Sequence, residues 1–128
     1  MAATPEALIQ ARLAAEAADD KLATEILAFD VSEQLYITDV FLICSASTPR
    51  QVRAVQDAIE EALLPLGVKP VRREGEREGR WVLLDFADIV VHVQHEEERV
   101  FYALERLWKD CPVIELPADV HGSSEAGE

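Results

Sequence analysis

The sequence predicts an α/β domain: a mixed β-sheet with about three helices. Two patterns carry this reading. Apolar residues recur at helical spacing in three separate segments, whereas the segments between them are short and rich in β-branched or aromatic residues. The order is helix, strand, strand, helix, strand, strand, strand, helix. It contains a strand, crossover helix, strand unit, which makes parallel neighbours, and then a hairpin, which makes antiparallel ones.

Thr4 can cap the first helix, with Pro5 at its first position and Glu6 in its first turn. Leu8, Ala11, Ala15, Ala18, Leu22 and Ile26 then follow at helical spacing, with a break near Asp19 as an option. Residues 28–31 form a short extended piece, and the apolar run 40–45 reads as a buried strand. Ser47 or Thr48 caps a second helix that starts at Pro49, carries Val52, Val55, Ile59, Ala62 and Leu66 on one face, and stops at Gly67. Residues 68–73 are a strand candidate, 75–79 a charged turn, 80–86 a strand, and 89–94 the last strand. Glu96, Glu97 and Glu98 supply the negative first turn of a final helix carrying Val100, Phe101, Leu104, Leu107 and Trp108, and Pro112 bars its extension. Residues 1–117 are thus expected to form a single domain, and 118–128 a disordered acidic tail too poor in apolar residues to pack.

Hydrophobic residues make up 49% of the 128 and charged residues 29%, a globular balance with no apolar run near the ~20 residues a membrane helix needs. The N-terminus lacks the basic and apolar regions of a secretory signal, which points to a cytoplasmic protein. Cys44 lies in an apolar run and Cys111 beside Pro112, a spacing that suggests reduced thiols rather than a disulfide or metal site.

Twelve Lys and Arg against 25 Asp and Glu leave a net charge of −13, which repels polyanions. The basic candidates Lys69, Arg72, Arg73, Arg77 and Arg80 are diluted by Glu74, Glu76 and Glu78, so little or no direct nucleic-acid binding is expected. An acidic domain better suits a basic protein partner.

If Ala87 and Asp88 form a two-residue turn, Phe86 faces Ile89, Leu84 faces Val91 and Val82 faces Val93, giving one wholly apolar sheet face. The other face pairs Asp85 with Val90, Leu83 with His92 and Trp81 with Gln94. Such a mixture suits a binding surface, and three helices are too few to cover both faces of a five-stranded sheet. Each residue also has a plainer reading. Trp81 could pack under a helix, Asp85 could stabilise the turn, and His92 could be a hydrogen-bonded sheet histidine.

Catalytic chemistry finds no foothold in the pattern. Two carboxylates on one strand face could hold Mg²⁺, but Asp85 and Asp88 are three apart across a turn. His92 and His95 share that defect for zinc and lack a nearby third ligand. Ser45, Ser47 and Thr48 precede a helix without a Gly-rich phosphate loop, so capping is the expected role. No catalytic residue, cofactor or metal is therefore predicted.

Four blocks together resemble the ribosomal silencing factor family, RsfS or Iojap: Ile37-Thr38-Asp39-Val40-Phe41-Leu42-Ile43-Cys44-Ser45; Arg50-Gln51-Val52; Trp81-Val82-Leu83-Leu84-Asp85 with Asp88-Ile89-Val90-Val91-His92-Val93; and Phe101-Tyr102-Ala103-Leu104-Glu105-Arg106-Leu107-Trp108. The resemblance implies a nucleotidyltransferase-like fold without transferase activity, forming a homodimer when free. It also implies docking on the L-fourteen protein of the large ribosomal subunit, which hinders joining of the small subunit when nutrients are scarce. The tryptophan of the third block belongs to the family's docking surface, here Trp81. Leu83, Asp85, Val90 and His92 join it as candidates through the hairpin geometry alone. The chain departs from the family pattern at Ala46 and at Ala87, where glycine is common. The alternatives are a nucleotide-binding or nucleotidyltransferase-like enzyme, supported only by the implied fold, and a dimeric structural subunit of another complex.

Overall fold

A computed structural model describes residues 2–122. Helix α1 (Pro5–Asp20) begins where expected, with Thr4 Oγ1 accepting from the Ala7 amide at 3.2 Å. Its buried face is alanine at positions 7, 11, 14, 15 and 18, with Gln10 beside them, and these small side chains let the helix lie close to its neighbours. Helix α2 (Pro49–Leu63) is capped by Thr48, whose Oγ1 accepts from the Gln51 amide at 3.1 Å. A 3₁₀ turn (Leu64–Leu66) then ends at Gly67, with the left-handed φ of 74° that glycine adopts without strain.

The strands β1 (Thr24–Asp30), β2 (Val40–Ala46), β3 (Arg72–Glu74), β4 (Trp81–Asp85) and β5 (Ile89–His95) form one mixed sheet in the order β1-β2-β5-β4-β3. Strand β2 runs parallel to β5, and all other pairs are antiparallel. Helices α1 and α2 cover one face, where Val40, Leu42, Val82, Leu84, Ile89, Val91 and Val93 meet Val52, Val55, Ile59 and Leu63 in the main core. Cys44 belongs to that core, and its burial pushes the thiol up to about 12, so it is an inert packing residue.

Four expectations need correction. Strand β1 starts at Thr24, not at residue 28, and takes Ile26 away from α1; Ile26 and its neighbour Leu27 are both buried but in different clusters, which only a strand between two layers allows. Leu22 is likewise outside α1, exposed and at φ 65°. The third strand shrinks to three exposed, charged residues, as suits a sheet edge. The final helix is broken: α3 (Glu96–Tyr102) stops at Ala103, in the left-handed region (φ 44°, ψ 50°), and a 3₁₀ turn (Leu104–Trp108) follows. The start of the expected tail packs: Val120 is 5% exposed in the core, and Gly122 accepts from the Ile26 amide and donates to Asp19. Residues 123–128 lie outside the described residues.

Candidate functional site

The β4–β5 hairpin has the register its two-residue turn requires. Trp81 pairs with Gln94, Leu83 with His92 and Asp85 with Val90, all on the sheet face away from α1 and α2. Gly75, in the β3–β4 turn, is indispensable to this placement, because a Cβ there would lie 1.8 Å from the Trp81 carbonyl oxygen. The turn itself is tight. Ala87 sits at φ 74°, the Asp88 amide donates to the Phe86 carbonyl, and the Phe86 amide donates to the Ile89 carbonyl. The Asp85 carboxylate accepts from the Ala87 amide at 2.8 Å, which makes the turn-stabilising role a structural fact.

The second face is covered on one side only. Leu104, Trp108, Cys111 and Leu35 pack over Leu27, Phe29, Val31, Phe41 and Ile43, forming a satellite core above β1 and β2. Toward β4 the cover thins, and Trp81, Leu83, Asp85 and Val90 are partly exposed there. His92 differs from them. It is 7% exposed, stacked on Phe41 with ring centroids 4.6 Å apart, and its Nδ1 accepts from the Trp81 indole nitrogen at 2.8 Å. Burial lowers its pKa to about 4, so the ring is neutral at physiological pH with its proton on Nε2. Gln94 is wholly buried despite pairing with Trp81, close to the point where β5 gives way to α3.

Six rings connect in sequence from the satellite core to the surface. Trp108 meets Phe41 at 5.3 Å, Phe41 meets His92, His92 meets Trp81 at 5.9 Å, Trp81 meets Tyr102 at 4.8 Å, and Tyr102 meets Phe101 at 4.9 Å. Exposure rises along the outer end, to 51% at Tyr102 and 79% at Phe101, and Val100 and Leu107 are exposed as well. Three of these four side chains, Val100, Phe101 and Leu107, were expected on the apolar stripe of the last helix with Leu104 and Trp108. In the structure all four are exposed, three at the end of α3 and Leu107 beyond the break at Ala103. Arg80 anchors this arrangement by pairing with Glu97 at 2.6 Å and Glu98 at 2.7 Å, tying the start of β4 to the start of α3. Buried Arg99 pairs with Glu105 at 3.2 Å and fastens the two halves across the break.

The polar groups considered for chemistry are engaged elsewhere in the structure. Asp85 is engaged by the turn, and Asp88 accepts from Gln10 at 3.4 Å, so the two carboxylates do not converge. His95, Glu97 and Glu98 bring ligand atoms within 4.8 Å of one another, but both glutamates are already paired with the Arg80 guanidinium. Ser47 and Thr48 serve the α2 N-terminus, with Ser47 bonded to Gln51, and Ser45 bonds Thr24. Arg72 and Arg73 are similarly paired, with Glu74 and Glu60, which removes most of a polyanion footprint.

The family model for the ribosomal silencing factor during starvation, RsfS, matches residues 4–128. The chain belongs to the RsfS family. An RsfS protein of Bacillus subtilis is 43% identical over 105 residues, covering 82% of this chain and 89% of that protein. The chloroplastic Iojap protein of Zea mays is 34% identical over 108 residues, covering 82% of this chain and 46% of the maize protein. A crystal structure from Bacillus halodurans superposes with a TM-score of 0.71 at 39% identity, covering 81% and 94% of the two chains. The tryptophan block that suggested the family lies on the sheet face away from α1 and α2, where Trp81, Leu83, Asp85 and Val90 are partly exposed. What the sequence did not reveal is the outward set Val100, Phe101, Tyr102 and Leu107. A signal was present in the three consecutive apolar residues 100–102, which exceed what one buried stripe of a helix can absorb.

Proposed function

We propose that this chain represses translation by docking on the large ribosomal subunit through its L-fourteen protein and sterically blocking association of the small subunit under nutrient limitation. Membership of the RsfS family supplies the ribosomal context. The observation that carries the docking site is the partly exposed Trp81, held between His92 and Tyr102 and continuous with exposed Phe101. An aromatic anchor in an apolar patch with a polar rim is how protein interfaces concentrate binding energy. Trp81, Leu83 and Val90 would meet the partner directly, with Asp85 at the turn. The net charge of −13 favours a basic protein partner over bare RNA.

The protein acts in this reading as a non-enzymatic, cytoplasmic factor that forms a homodimer when free. None of the helices among the described residues is long and apolar enough to cross a membrane. A light-scattering assay of subunit joining tests the mechanism. Large subunits preincubated with the protein should join small subunits more slowly and to a lower plateau, whereas protein added after joining should have little effect.

A further inference from the structure

We propose that His92 is a positioning residue, which never meets the partner but fixes the indole of Trp81 in the orientation that the docking face presents. This rests on the docking reading above. The indole N–H is the only hydrogen-bond donor on the tryptophan side chain, and it points inward to His92 Nδ1 at 2.8 Å. The partner therefore encounters the ring's apolar surface, with no free donor. An aliphatic side chain or the stem and guanidinium of an arginine fits that surface; a carbonyl seeking the indole nitrogen does not.

His92 is itself well held. It lies on β5 directly opposite Leu83, with its ring stacked on Phe41 at an interplanar angle of 29° and 7% of the residue exposed. An apolar residue of similar size could fill that space equally well. It would leave the indole N–H facing the interior unpaired, which a buried donor does not tolerate. Trp81 is only partly buried and so has an escape, because its ring can leave the sheet and turn the nitrogen to water. The docking-competent orientation would become one of several, and affinity would fall by the fraction of molecules that retain it. The neutral state of His92, with pKa about 4, keeps Nδ1 available as an acceptor throughout the physiological range.

The test uses the full chain and isolated large subunits, with His92→Leu, His92→Asn and Trp81→Ala. The amide oxygen of asparagine falls near the position of Nδ1 and can accept the same bond, whereas leucine cannot; His92→Val serves if the leucine variant does not fold. Binding is measured together with hydrogen exchange of the Trp81 indole N–H, observed by NMR. We expect His92→Leu to speed indole exchange and weaken binding about tenfold, the loss expected if one molecule in ten stays competent. His92→Asn should recover most of both. Full affinity in folded His92→Leu, or equal loss in both His92 variants, overturns the positioning role. Trp81→Ala separates this from the docking reading: if that variant binds like wild type, the docking face itself is wrong, and if it alone loses binding, only the role of His92 falls.

Discussion

The indole nitrogen of Trp81 donates to Nδ1 of His92 across 2.8 Å, joining the partly exposed ring of the candidate docking face to a buried, neutral imidazole. The bond makes the site and the fold respond to acid together, because a proton on Nδ1 would remove the acceptor.

Acid should therefore destabilise the protein through His92. Its pKa is about 4 in the folded state against 6.5 for an unperturbed histidine, so between those values the unfolded chain binds a proton that the native state does not. Stability falls as pH falls through that window, by on the order of 3 kcal/mol when complete, and is unaffected by this group above it. Glu60, held below the usual carboxylate range by its hydrogen bond from Arg73, adds a further loss at lower pH. Urea unfolding at pH 7.5 and 4.5 should show wild type losing more stability than His92→Asn. Parallel losses in the two proteins would rule out His92 as the source.

Truncating the ring should separate docking from folding. Trp81→Ala should weaken large-subunit binding by about 2 kcal/mol or more, roughly thirtyfold, as interface tryptophans do. Its thermal stability should fall by less than the ~3–5 kcal/mol of a core aromatic, because the ring is only partly buried. Retained binding in a severely destabilised protein would place Trp81 in the core instead.

Ala87 occupies the hairpin turn at φ 74°, where an L side chain is strained. Ala87→Gly should stabilise the protein by about 1 kcal/mol, raising Tm by roughly 4 °C, with the hairpin register unchanged. A lower Tm would mean that the turn gains more from alanine than the strain takes away.

The register of this hairpin was legible in the sequence, because alternate residues Val82, Leu84 and Phe86 and then Ile89, Val91 and Val93 agree on one apolar face only if the turn has two residues. Helix α2 was legible through Thr48, Pro49 and Gly67, each of which acts locally. The break at Ala103 was not, since alanine is the best helix former and what flanks it is tertiary: the ion pair from Arg99 to Glu105 across the break and the packing of Leu104 and Trp108. Ile26 misled for a related reason: its spacing from Ala18 and Leu22 is helical, yet the chain leaves the helix at Leu22 (φ 65°) and is already in β1 at Glu25 (φ 52°), where the strand register shifts. The partnership of Trp81 with His92 lay between these cases. Both residues were on the right face, but whether either faced outward depended on how far α3 extended over them.

Charge should control the encounter. An acidic chain approaching a basic ribosomal protein should associate more slowly as ionic strength rises, while apolar contacts keep the dissociation rate nearly constant. Stopped-flow association at low and physiological salt measures this directly. An association rate insensitive to salt would contradict the electrostatic part of the account.

Gradient sedimentation of the purified protein with separated large subunits, small subunits and joined ribosomes tests the central claim most directly. The account predicts comigration with free large subunits and little with small subunits or joined ribosomes, since joining covers the docking surface. Equal binding to all three would contradict it.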